Sequence, residues 1–246
     1  MEIIVKSSID GTDQPSLFFP AKGEGRPLIV GLHTWSFDRN KQISNLLPEA
    51  EKYDFNLLLP EFRGPNLISN PKCTEACASP LAVRDVLDAI EYVSEEYSID
   101  SESIFLIGLS GGGHMALMVA ANAPELFRAV ASYVPITDLA AWCDENPNYR
   151  PHVIACCGTR EEMLSRSPIS YVDALCKANL KIFHGKFDNV VPVEQTLRLY
   201  QRIMEKSPRS RVFLDVFDGG HEIDMKEAMY WLLSQYNEKN LNTVTG

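Results

Sequence analysis

No apolar run in this 246-residue chain approaches the roughly 18–20 residues that a membrane span requires. The N-terminus, MEIIVKSSIDGTDQ, lacks the basic start, apolar stretch and small-residue cleavage site of a secretory signal, so a cytoplasmic chain is expected. Basic residues are scarce: 23 stand against 33 acidic ones, a formal charge of −10, and no basic patch is visible. That argues against nucleic acid as a partner and reads as a solvated acidic surface. Six cysteines, at 73, 77, 143, 156, 157 and 176, lack a second ligand pair at zinc-site spacing after Cys73-x-x-x-Cys77. Free thiols are expected, with no metal and no cofactor. No repeat, low-complexity tract or linker divides the chain, and 1–246 reads as a single domain.

What the chain does contain is an alternation of strand-like and helical patterns. Strands are expected at Glu2–Ile9, Ser16–Phe19, Leu28–His33, Asn56–Phe62, Ile104–Leu109, Ala129–Pro135, Lys181–His184 and Val212–Phe217. Their apolar runs lack clean alternation, as expected where both sheet faces are covered. The clearest helix runs from about Leu81 to Tyr97, with apolar residues at three- and four-residue steps behind Ser79 as N-cap and Pro80 in the first turn. Others are expected at Lys41–Lys52, Gly112–Asn122, Val193–Glu205 and Met225–Gln235. The fold class is therefore α/β: an eight-stranded, mostly parallel sheet with helices on both faces, its functional loops at the carboxyl ends of the strands.

One pentamer concentrates the chemistry. Gly108-Leu109-Ser110-Gly111-Gly112 matches G-x-S-x-G, flanked by a buried-strand pattern and a helical one. A sharp strand-to-helix turn strains the serine backbone and demands neighbours without a Cβ. A serine hydroxyl needs a base to become a nucleophile. Of the histidines at 33, 114, 152, 184 and 221, His221 in FDGGHE follows the last strand on a glycine-flanked loop. Asp188, in KIFHGKFDNVVP, follows the preceding strand, where a carboxylate can orient the imidazole. His33 and His184, also at strand ends, are read as structural hydrogen-bonding residues, and His152 has no identifiable partner. Oxyanion donors are expected from the Gly111 N–H and, after LIVGLH, from Trp35 first and Thr34 second.

Together, LIVGLHTW, LPEFRGPN, DVLDAIEYV, SIFLIGLSGGGHMAL, PELFRAVASYVPITDL, SPISYVDAL, KIFHGKFDNVVPVEQTLRLY and DGGHE resemble the α/β-hydrolase superfamily, in particular the catalytic domain of the prolyl oligopeptidase family. The segments keep the family's order over roughly residues 28 to 235. The resemblance implies an α/β-hydrolase fold with Ser110 as nucleophile, Asp188 as acid and His221 as base. Where the family commonly has His-Gly-Gly, this chain has His33-Thr34-Trp35, so the oxyanion loop is expected to differ in shape. About 27 residues precede LIVGLH, too few for the family's β-propeller, which points to a stand-alone esterase. Residues 137–168 occupy the position of a small cap insertion, where Trp142, Tyr149 and Met163 are pocket candidates or packing residues. Arg63 is a candidate for a substrate carboxylate or for an ion pair that holds its loop. The expected activity is cleavage of a small or medium carboxylic ester through an acyl-enzyme on Ser110. The alternative is a small peptidase or aminoacyl-amide hydrolase acting on short peptides, and the third reading a non-catalytic binding protein. The oligomeric state is not legible.

Overall fold

The apolar runs assemble into one eight-stranded sheet in the computed structural model, which describes residues 1–244. The strands are β1 Glu2–Lys6, β2 Asp13–Phe19, β3 Arg26–Leu32, β4 Asn56–Pro60, β5 Ile99–Leu109, β6 Ala129–Tyr133, β7 Leu180–Gly185 and β8 Val212–Phe217. The helices are α1 Ile43–Tyr53, α2 Pro80–Glu96, α3 Gly111–Asn122, α4 Leu139–Glu145, α5 Arg150–Cys157, α6 Arg160–Ser165, α7 Val172–Leu175, α8 Val193–Lys206 and α9 Met225–Val244. Strand order is β1-β2-β4-β3-β5-β6-β7-β8. The pairings β1–β2 and β2–β4 are antiparallel, and every later one is parallel. After β3 the chain leaves through α1 to β4 on one side, whereas β5 lies on the other. Such a reversal opens a crevice at the strands' carboxyl ends, where open α/β sheets bind ligands.

Strand alternation splits the core into two layers. Leu28, Val30, Leu32, Ile104 and Leu106 face α2, α3 and α8, through residues such as Val86, Ile90, Leu117 and Leu199. Ile29, Phe105, Ile107 and Leu109 face the other way, onto Leu46 of α1 and Met229 and Leu232 of α9. Ser79 caps α2 by accepting from the Ala82 N–H at 3.1 Å. Helix α3 is buried from Gly111 to Ala121, as suits a segment whose one polar side chain is His114. A third cluster, with Trp35, Trp142, Met163 and the thiols of Cys73, Cys77, Cys156 and Cys157, lies among α4, α5 and α6.

Several element ends differ from the sequence pattern for local reasons. The first strand stops at Lys6 because the Ser7 N–H pairs with the Thr12 carbonyl and the Gly11 N–H with that of Ser7, closing a turn. The sixth stops at Tyr133, since Val134 has φ +40°. The fifth begins at Ile99, its polar DSES start disguised as loop. Helix α9 continues past Gln235 to Val244. Among the described residues no helix is long and apolar enough to cross a membrane, and no group of three or more His, Cys, Asp or Glu side chains could hold a metal ion.

Candidate active site

Ser110 sits between β5 and α3 with φ +55° and ψ −115°, a conformation costing a non-glycine residue about 1–3 kcal/mol. Surrounding structure enforces it: the Ser110 N–H donates to the Tyr133 carbonyl at 2.9 Å, and its carbonyl accepts from the His114 N–H at 2.9 Å. The turn is so tight that a Cβ on Gly108 would collide with the Gly112 carbonyl, and one on Gly111 with the backbone of Trp35. Both positions therefore require glycine.

The loops after β7 and β8 converge on this serine. His221 Nε2 lies 2.9 Å from Ser110 Oγ, and its Nδ1 lies 2.7 Å from Asp188 Oδ2. Since the carboxylate can only accept, Nδ1 carries the proton and Nε2 presents a lone pair to the hydroxyl. The other oxygen of Asp188 accepts from the Val190 and Val191 N–H groups at 2.8 and 2.9 Å. Burial opposes the charge on Asp188, but hydrogen bonds from His184, His221 and the Val191 N–H outweigh it. Its carboxyl is thus held well below the usual range and is ionised.

His184, expected from the sequence as a structural hydrogen-bonding residue at a strand end, makes such bonds and through them joins this network. Fully buried, it places Nε2 at 2.9 Å from the Val191 carbonyl and 3.4 Å from Asp188 Oδ2. Its Nδ1 meets the Thr196 hydroxyl at 2.7 Å. Only its position four residues before Asp188, at the end of the same strand, hinted at this. The remaining histidines are tied elsewhere. His33 stacks on Phe62 with centroids 3.9 Å apart, His114 donates to the Arg166 carbonyl at 2.7 Å, and His152 Nδ1 accepts from the Ile68 N–H at 3.2 Å.

Trp35 and Gly111 bring their backbones into contact beside Ser110, and neither N–H donates a hydrogen bond among the described residues. The Trp35 indole is buried and packs edge-on against Trp142, with centroids 5.0 Å apart. A cavity of about 270 Å³ opens over Ser110 and His221, walled by Trp35, Phe37, Lys41, Tyr149 and Ile223 among others. Of the three cap candidates, Tyr149 lines this cavity, whereas Trp142 and Met163 are buried packing residues. Arg63 lies away from it. Its guanidinium is 2.5 Å from Asp85, 2.8 Å from Asp10 and 2.9 Å from Glu75, an ion cluster that holds its loop. No motif in the sequence marks Phe37, Lys41 or Ile223, whose place on the wall follows from loop shape.

A hydroxyl hydrogen-bonded to a neutral, oriented imidazole can lose its proton while attacking a carbonyl, and two free N–H groups nearby can receive the resulting oxyanion. A mostly parallel sheet covered on both faces, with a serine on the strand-to-helix turn, defines an α/β-hydrolase, and the chain is an enzyme of the serine hydrolase class. Residues 81–237 match the prolyl oligopeptidase family of S9 peptidases, and the chain belongs to that family. It is 28% identical over 144 residues to the acylamino-acid-releasing enzyme of Rattus norvegicus, a match covering 54% of this chain and 19% of that protein. Identity to acylamino-acid-releasing enzyme 2 of Oryza sativa subsp. japonica is 26% over 255 residues, covering 89% of this chain and 31% of the relative. The chain thus spans about a fifth to a third of these relatives' length. Among solved structures, the acylaminoacyl peptidase of Pyrococcus horikoshii shares the fold with a TM-score of 0.71 and 22% identity, over 90% of this chain and 37% of that one.

Proposed function

We propose that the chain hydrolyses short peptides or N-acylated aminoacyl amides, forming an acyl-enzyme on Ser110. His221 is the general base and then the general acid, Asp188 orients it, and the Gly111 and Trp35 N–H groups receive the oxyanion. The hydrogen-bonded sequence Ser110–His221–Asp188, at 2.9 and 2.7 Å, carries this reading. The names of the curated relatives favour amide cleavage over the ester cleavage that the sequence reading ranked first. Helices α4 to α6 act as a small cap within a single domain, with Tyr149 reaching the cavity from the N-terminal end of α5. The test is a pair of substrates with one acyl group, an N-acetylaminoacyl 4-nitroanilide and the matching 4-nitrophenyl ester. Comparable acylation rates on both support the amide reading, and turnover of the ester alone returns the assignment to a carboxylesterase. A fluorophosphonate that labels the native chain but not Ser110→Ala identifies the nucleophile.

A further inference from the structure

The cavity over Ser110 has an uneven charge. Among the described residues its wall contains no aspartate or glutamate, and apart from His221 its one ionisable cation is Lys41. This is unexpected in a chain of net charge −10. The neighbouring cation, Arg39, is committed: it lies 3.1 Å from Glu61 and 2.6 Å from Glu2. Lys41 forms no ion pair among the described residues, and its ammonium stands 4.6 Å from the centroid of Phe37. Phe37 is itself 49% exposed on the cavity rim, close to Ile223 at 38%. An uncompensated ammonium beside apolar side chains, lining the same cavity as the Ser110 hydroxyl, is complementary to a molecule with an apolar body and a carboxylate.

Resting on the reading of Ser110 as the nucleophile, we propose that Lys41 is a specificity-determining residue and that the substrates of this site carry a carboxylate. The ammonium receives the carboxylate as an ion pair while the apolar part of the substrate lies along Phe37, Tyr149 and Ile223. The anionic group has two possible sources, the acyl side of the scissile bond or the leaving side, such as the free carboxyl terminus of a short peptide.

Two matched ester pairs distinguish them. On the acyl side, 4-nitrophenyl hydrogen adipate is compared with 4-nitrophenyl hexanoate. On the leaving side, 4-acetoxybenzoate is compared with 4-acetoxybenzamide. The native chain is expected to prefer the carboxylate-bearing member of one pair by about fivefold to tenfold in kcat/KM, mainly through KM, as suits a partly exposed charge pair. The preference shrinks as ionic strength rises. In Lys41→Gln the ratio within that pair falls to about one, and in Lys41→Arg it is kept. Equal turnover within both pairs, or a preference that survives Lys41→Gln, overturns the proposal while leaving the serine mechanism intact. Failure of the native chain to cleave any of the four esters removes the mechanism and this proposal with it.

Discussion

His114, one turn into α3 from Ser110, supplies a stability test with a definite sign. Its ring is fully buried, Nε2 donates to the Arg166 carbonyl at 2.7 Å, and Nδ1 has no hydrogen-bond partner among the described residues. Burial pushes its pKa down to about 4, from an ordinary value of 6.5. The native state therefore resists protonation, and below pH 6.5 the unfolded chain binds more protons than the folded one. Stability is full above pH 6.5 and drains away as pH falls from there toward 4. At pH 5 the unfolded imidazole is almost fully protonated and the native one only about a tenth, a difference worth about 2 kcal/mol. His114→Gln keeps a polar side chain and cannot titrate. Urea unfolding at pH 7.5 and 5.0 is expected to show the native chain losing about 2 kcal/mol more than the variant, roughly 0.7 M in midpoint for a slope near 3 kcal/mol/M. Equal acid losses in the two proteins would mean that the ring titrates freely in the folded state, and the reasoning fails.

Ser110→Ala is expected to lower kcat by at least about 10⁴-fold with an unchanged melting temperature, as read by single-turnover kinetics and calorimetry. Asp188→Asn removes the acceptor that fixes the His221 tautomer, 2.7 Å from Nδ1. A loss of about 10⁴-fold in kcat is expected, and a loss under tenfold would show that Asp188 does not orient the base. Arg63→Ala leaves Asp85, whose side chain is 1% exposed, without its cation, so chemical denaturation should show a loss of about 3–5 kcal/mol. A change below 1 kcal/mol would place the cluster among solvent-screened pairs.

Signals of different range explain what the sequence revealed. The Ser110 turn was legible because part of its constraint is local, Gly108 being needed to clear the Gly112 carbonyl four residues on, whereas the Trp35 backbone that Gly111 clears is distant in the chain. The inner strands were legible because burial on both faces forces continuous apolar runs, as in Leu28, Ile29 and Val30. The polar start of β5 was hidden, since the DSES segment resembles a loop: Ile99 before it pairs with Arg26 of β3, and the register shifts before Ile104 pairs with Leu28. That His184 lies beside Asp188 was hidden, because nothing in its own segment shows which way its ring turns.

By itself, then, the sequence determined the layered sheet, the strained serine turn and the order in which Ser110, Asp188 and His221 follow one another. Periodicity and short-range sterics act between near neighbours and leave a mark in the local pattern of residues. Tertiary structure alone decided that His221 Nε2 meets an oxygen 111 positions away. It likewise decided that Arg63 is enclosed by carboxylates and that Lys41 and Tyr149 share one wall. Those contacts join segments distant in the chain, and packing of the whole sheet and its connections fixes their separation.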